Sequence, residues 1–244
     1  MITINLFEEV DLKNCTFIEG FPGAGLVGPM AISYIIDKLQ MKYIGYLESE
    51  DFPPLVSVHK NTPMPPIRVY CSEKQKIVTI FAEFAVTMDL VSKMSEAVFE
   101  FIKENKISAM YSIGGIPARE DDTSPFFIAS TESASKDAIK SGLKPIEEGV
   151  ATGIGALLLV KAVMAKIDDV DIMIPVQQSI IDPMYAEAAV QSLNKLLDLN
   201  IDVTELDKEA KTVEAKIKEQ LSKHKESHED YKKAVDSTGP SMYA

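Results

Sequence analysis

Short β-branched segments alternate with longer segments of helical periodicity through most of this 244-residue chain. The segments that predict strands are 16–18, 42–47, 56–59, 67–71, 77–81, 107–113 and 170–174. The segments that predict helices are 26–39, 89–103, 132–141, 154–165 and 184–199. A chain of this kind folds most readily into a parallel sheet with helices on both faces. We therefore predict an α/β fold, with residues 1–202 forming a three-layer α/β/α domain around a mostly parallel sheet.

The character of the chain changes at residue 203, because residues 203–235 are densely charged and contain neither glycine nor proline. This composition predicts one long charged helix, which at about 1.5 Å per residue would measure roughly 45 Å. Its apolar residues recur at three- and four-residue spacing and form what we call the apolar seam: Val203, Leu206, Ala210, Val213 and Ile217. Such a seam predicts packing against another helix, another subunit or the domain body. Residues 236–244 follow as a predicted flexible tail.

Charge and cysteine content narrow the classes of protein. The net charge of −12 argues against nucleic-acid and anionic-membrane binding, since both favour a surplus of lysine and arginine. Two cysteines are too few for a disulfide framework, and the first residues lack the pattern of a signal peptide. The most apolar run, 153–164, is too short to span a bilayer. We expect a cytoplasmic protein without a transmembrane segment.

A glycine loop, Gly-Phe-Pro-Gly-Ala-Gly-Leu-Val-Gly at residues 20–28, follows the first predicted strand. Gly23, Gly25 and Gly28 satisfy the G-x-G-x-x-G dinucleotide pattern, and Glu48 lies near the end of the next predicted strand, as a ribose-binding acid would. This is the strongest indication of an enzyme in the chain. The alternative is structural: Gly20, Gly23, Gly25 and Gly28 form a tight strand-to-helix turn that packs helix closely on sheet.

Other candidate chemistries have less support. His224 and His228 are spaced to meet on one helix face, but no third metal ligand is apparent, and a solvated face explains them. The acidic residues Glu120, Asp121 and Asp122 are candidate ligands of a divalent cation, but an exposed loop is the simpler interpretation. No nucleophile elbow and no phosphate-binding loop ending in Gly-Lys-Ser/Thr occurs. We therefore predict a protein that is not an enzyme, with no catalytic residues, no metal and no cofactor.

Several of these motifs together resemble the archaeal form of the proteasome assembly chaperone family, over most of residues 15–210. The resemblance is carried by GFPGAGLVG at 20–28, YSIGG at 111–115, GVATGIGALLL at 149–159, and Asp182-Pro183 opening the helix that ends in KLLDLNIDVTEL. In that family the glycine loop belongs to the fold and carries no nucleotide chemistry. The resemblance also implies a homo-oligomer, for which we favour a tetramer.

The last three residues, Met242, Tyr243 and Ala244, match the hydrophobic-tyrosine-any-residue terminus by which such chaperones and proteasome activators dock. The resemblance implies that this terminus enters pockets between α subunits of the 20S proteasome, without ATP. Tyr243 offers an aromatic ring with a hydroxyl group, Met242 an adaptable apolar contact, and Ala244 a terminal carboxylate. One alternative stays open, in which the charged helix is itself the interaction surface.

Overall fold

The computed structural model describes residues 1–118, 124–177 and 181–206. The strands in these ranges are β1 (Thr3–Leu6), β2 (Thr16–Glu19), β3 (Lys42–Glu48), β4 (Ser57–His59), β5 (Thr62–Met64), β6 (Ile67–Ser72), β7 (Ile77–Ala82), β8 (Ala109–Pro117), β9 (Phe126–Ala129), β10 (Lys144–Pro145) and β11 (Asp168–Val176). The α-helices are α1 (Val27–Lys38), α2 (Met88–Glu104), α3 (Glu132–Lys140), α4 (Ile154–Ala165) and α5 (Pro183–Leu197).

Nine strands form one sheet in the order β1-β3-β6-β7-β2-β8-β11-β9-β10. Its centre is parallel, since β2 pairs in parallel with β7 and β8, and β8 pairs in parallel with β11. Antiparallel pairs flank this centre, from β7 out to β1 on one side and between β11 and β9 on the other. Strands β4 and β5 form a separate hairpin. The predicted α/β class is confirmed, with its parallel strands at the middle of the sheet.

Local sequence explains where the helices begin. The hydroxyl oxygen of Thr131 accepts a hydrogen bond from the backbone N–H of Ala134 at 3.1 Å and so caps α3. The carboxylate of Asp182 accepts one from the N–H of Met184 at 2.9 Å, and Pro183 occupies the first turn of α5. Within the three described ranges, no helix is both long and apolar enough to cross a membrane.

Two apolar layers cover the two faces of the sheet. One joins the sheet to α1, α3 and α5, and the other joins it to α2 and α4. The segment after α5 packs on the first layer: Leu206 is buried there, Val203 is partly buried against it, and the hydroxyl of Tyr34 donates to the carbonyl of Asp202 at 2.6 Å. The first two residues of the apolar seam thus contact the domain body, whereas Ala210, Val213 and Ile217 lie outside the described residues.

Candidate functional site

The glycine loop brings the end of β2 against the start of α1. A Cβ atom on Gly20 would lie 2.6 Å from the carbonyl oxygen of Gly28, and one on Gly28 would lie 2.7 Å from the Cα of Gly20. Gly25 has a φ of +67°, and a Cβ there would meet the side chain of Val176 at 2.8 Å. Gly23 differs from the others, since the nearest atom to an added Cβ is 3.9 Å away. Three of the four glycines therefore permit close packing of backbone and side chains.

The sheet order separates Glu48 from the glycine loop. Glu48 ends β3, and β6 and β7 lie between β3 and β2. At a strand spacing of about 4.8 Å, the backbones of β3 and β2 are roughly 14 Å apart. In a dinucleotide-binding fold the acidic residue lies on the strand adjacent to the glycine loop. The predicted ribose-binding position of Glu48 is therefore wrong, because two antiparallel strands occupy that place.

A cleft of about 940 Å³ opens at the carboxyl ends of the parallel strands β2, β8 and β11. The glycine loop, the segment 113–118, the segment 146–155 and the N-terminal part of α2 form its walls. Ligands of open α/β sheets commonly bind at this edge, outside the carboxyl ends of the strands. The cleft is therefore the candidate functional site of the domain body.

Buried carboxylates lie on the sheet face beneath α2 and α4, on the cleft side. Glu19 of β2 pairs in register with Ser112 of β8, which pairs with Asp171 of β11, so the three residues form one row across the sheet. Asp169 precedes Asp171 by two residues on β11, so its side chain lies on the same face of the sheet. Glu19 and Asp171 are each 3% exposed and both line the cleft, whereas Asp169 is fully buried. The backbone N–H of Phe21 donates to Glu19 Oε2 at 2.9 Å.

This burial changes the acidity of the carboxyl groups. Loss of hydration raises the pKa of Glu19 to about 7, with a smaller contribution from Asp171. Burial also raises the pKa of Asp171 to about 7. The pKa of Asp169 is raised well above its usual value, first by burial and then by Asp171 and Glu19. Near neutral pH, Glu19 and Asp171 therefore exist in both protonated and ionised forms. When they are ionised, few neighbouring groups offset their negative charge.

These carboxylates were not among the predicted site residues, although the sequence of β11 carries a signal for them. In the run Asp-Asp-Val-Asp-Ile-Met-Ile-Pro-Val, acids alternate with Val170 and Ile172. A central parallel strand is buried on both faces and normally reads as continuously apolar. Acids at alternating positions therefore indicate a polar site on one face of the sheet. The partner from β2, Glu19, directly precedes the glycine loop.

A second buried ionic cluster lies at strands β6 and β7, on the sheet face that packs against α1. Glu83, just after β7, contacts Arg68 Nη2 through Oε2 at 3.0 Å and His59 Nε2 through Oε1 at 2.9 Å. Arg68 is 1% exposed and its guanidinium lies 5.4 Å from the centre of the Phe81 ring. A smaller cavity of about 330 Å³ adjoins the cluster. The contact with His59 attaches the β4–β5 hairpin to the sheet.

The other predicted positions are not part of this geometry. The acidic residues 120–122, both helix histidines and the terminal residues Met242, Tyr243 and Ala244 lie outside the described residues. Within the described ranges, no group of three or more histidine, cysteine, aspartate or glutamate side chains is arranged to hold a metal ion. Cys15 and Cys71 are both buried and unpaired with each other.

Comparison with known proteins places the chain in a family. Residues 17–221 match the sequence profile of the PAC2 family. The chain belongs to the PAC2 family. It is 30% identical over 216 residues to an uncharacterized protein of Methanocaldococcus jannaschii, covering 88% of this chain and 89% of that protein. Together with the structure of PbaA described next, this membership confirms the resemblance to the archaeal proteasome assembly chaperone family.

Solved structures of this PAC2 fold include two from Pyrococcus furiosus. PbaA, described as an archaeal homolog of proteasome-assembly chaperone, is 28% identical with a TM-score of 0.82, covering 93% of this chain and 100% of that chain. PbaB, described as an archaeal proteasome activator, is 23% identical with a TM-score of 0.73, covering 89% and 98% respectively. The similarity to PbaB shows a shared fold.

Amide substitutions in the carboxylate row of this PAC2 protein are expected to stabilise it at alkaline pH. Because the folded-state pKa of Glu19 is about 7 and thus above its unfolded value, ionisation costs stability as pH rises, and the cost is complete above the folded pKa. Glu19→Gln should therefore add up to roughly 3 kcal/mol to the free energy of unfolding near pH 8, and little near pH 4. Urea titrations across pH measure this, with exposed Glu104→Gln as control. A gain in the free energy of unfolding that does not change with pH would contradict the raised pKa of Glu19.

Proposed function

We propose that this chain is an ATP-independent proteasome-binding protein that acts as an assembly chaperone or activator, with α subunits of the 20S proteasome as partners. The observation that carries the proposal is the similarity to PbaA, which extends over 93% of this chain at 28% identity. Membership of the PAC2 family across residues 17–221 supports it. The proposal needs no catalysis, because binding energy alone can favour one state of a ring assembly.

The docking element in this proposal is the C-terminal tail. Met242, Tyr243 and Ala244 provide an apolar side chain, an aromatic ring with a hydroxyl group, and a terminal carboxylate. This set suits a pocket that captures a carboxylate with a lysine beside an apolar wall. We propose that the charged segment 203–235 gives the tail its reach and that the domain body carries oligomerisation.

Several tails acting together would strengthen a weak three-residue anchor, because each bound tail raises the effective concentration of the next. We therefore propose a homo-oligomer, with a tetramer favoured. Helix α4 offers an apolar surface for contact between copies, since its outer side exposes Leu157, Val160, Val163 and Met164 although its inner side is already buried. Val203 and Leu206 already pack against the domain body, which leaves less of the apolar seam for a partner.

Removal of the last three residues is expected to weaken binding to an archaeal 20S proteasome by about tenfold or more, because the carboxylate and aromatic anchor are lost together. Binding and peptide hydrolysis are measured at identical salt for full-length protein and a form lacking Met242–Ala244. Ser241→Ala, which keeps the three-residue terminus, is the matched control. Light scattering checks that the oligomer is unchanged.

Undiminished binding by the truncated protein would reject tail docking and favour the charged helix as the interaction surface. Absence of binding by both proteins would reject the proteasome as partner. The nucleotide-binding alternative predicts instead that a dinucleotide raises the melting temperature. The geometry of the glycine loop and the position of Glu48 do not favour it.

A further inference from the structure

The described residues that line the cleft at the carboxyl ends of β2, β8 and β11 include acids but no bases. Four acidic residues line it, namely Glu19, Glu147, Glu148 and Asp171, and no lysine, arginine or histidine is among the described residues that form its walls. We propose that this cleft binds a small organic cation, an ammonium or guanidinium group on an apolar body, with the charged head against Glu19 and Asp171. The inference is independent of proteasome binding.

Asp169 provides an observation independent of the acidic lining. It is fully buried behind the Glu19–Ser112–Asp171 row, and among the described residues no side-chain donor reaches either of its carboxyl oxygens. A buried carboxyl group without a partner is costly, and its presence in a native protein calls for an explanation, of which a functional polar site is one. Burial raises the pKa of Asp169, and the charges of Asp171 and Glu19 raise it further when they ionise, so that this third acid holds its proton behind the row.

The walls of the cleft select the kind of cation. Apolar side chains form much of the lining, including Val86, Val91, Ile146 and Met173. These walls suit an aliphatic or aromatic body, whereas a hydrated metal ion needs oxygen ligands on several sides. The absence of a metal-type cluster among the described residues agrees with this choice. Anionic ligands are disfavoured, although α4 begins at the cleft, because Gly155 in its first turn lies directly beside Glu19 and Ser112.

Binding should strengthen as pH rises through neutrality, because the row must be ionised to pair with a cation. Burial holds the pKa of both Glu19 and Asp171 near 7. Among the described residues, the other titratable groups on this sheet face or in the cleft lining are Asp169 of β11 and Glu147 and Glu148 on the segment before α4, all of them acids. No described basic group in the cleft competes with the cation for the row.

Calorimetry with n-hexylamine and benzamidine, each on the full-length protein, tests the inference, with 1-hexanol as the uncharged analogue of the first. We expect at least one cation to bind about tenfold more tightly than 1-hexanol near pH 8, and we expect the same cation to bind more weakly near pH 6 than near pH 8.

The double variant Glu19→Gln/Asp171→Asn should lose about tenfold in affinity for that cation. The surface double variant Glu73→Gln/Glu104→Gln changes net charge equally and should bind normally. Thermal melts of the first double variant, expected to be stabilised near pH 8, verify that it is folded.

A capped Ala-Lys-Ala peptide distinguishes two sources of the cation, a basic side chain of a partner protein and a free small molecule. Competition between this peptide and the bound cation would assign the site to a basic side chain of a partner protein. Binding of the small cation without competition would assign it to a free amine or amidine. If neither cation binds, if 1-hexanol binds equally well, or if the row variant binds as the native protein does, the inference is overturned.

Discussion

Replacing Glu83 with alanine is expected to lower the free energy of unfolding by about 3–5 kcal/mol, because it leaves a buried guanidinium without its counter-charge. Arg68 is 1% exposed, and its Nη2 pairs with Glu83 Oε2 at 3.0 Å. Its Nη1 donates to the carbonyl of Pro65 at 3.2 Å, which does not neutralise the charge. Arg68 lies between the hairpin, Phe81 and α1, so its guanidinium is almost fully shielded from water in the folded protein.

Chemical denaturation of the single and double variants measures this effect. The double variant Arg68→Met/Glu83→Leu should recover much of the loss, because an apolar pair of similar size does not bury an isolated charge. Glu73→Ala, at an exposed turn, serves as the surface control and should change stability by less than about 0.5 kcal/mol. A loss below about 1 kcal/mol in Glu83→Ala would mean that the guanidinium finds solvent or another acid. Proteolysis at the β4–β5 hairpin should also accelerate, since His59 loses its contact with Glu83.

Replacing Gly20 or Gly28 with alanine is expected to destabilise the fold by about 3 kcal/mol or more, because overpacking here forces two backbone segments apart. The added methyl group would lie 2.6–2.7 Å from backbone atoms of the other glycine in either case. Backbone atoms at the end of β2 and the start of α1 cannot rotate away as a long side chain can. The displacement would also disturb Glu19, which directly precedes Gly20.

Gly23→Ala is the matched control within the same loop. Its φ is −149°, an extended conformation open to any residue, and the nearest atom to an added Cβ is 3.9 Å away. We expect a change within about 0.5 kcal/mol in thermal or urea unfolding. A dinucleotide site predicts otherwise, since Gly23 would then be the first glycine of the fingerprint and would be required for the tight turn before the helix. A severe effect at Gly23 with tolerance at Gly20 and Gly28 would contradict the packing role.

Local sequence was sufficient to predict most of the helices and the central strands. The predicted helix 154–165 coincides with α4, and the other helices and long strands differ by a few residues at their ends. These elements carry their own periodicity and capping residues, so that nearby residues determine them. Short edge strands such as β1 and β10 were not predicted, because pairing with a distant neighbour defines a two- to four-residue strand.

The tertiary structure alone decided which residues meet. The row formed by Glu19, Ser112 and Asp171 depends on β2 lying beside β8 and β8 beside β11, although more than 150 residues of chain separate its ends. In the same strand order, β6 and β7 lie between β3 and β2, so Glu48 is far from the glycine loop. Sequence spacing determines which side of an element a residue occupies, whereas non-local strand pairing and helix packing determine what that side contacts. The sequence by itself therefore established the α/β class and the family resemblance, and the acidic cleft is a product of the assembled sheet.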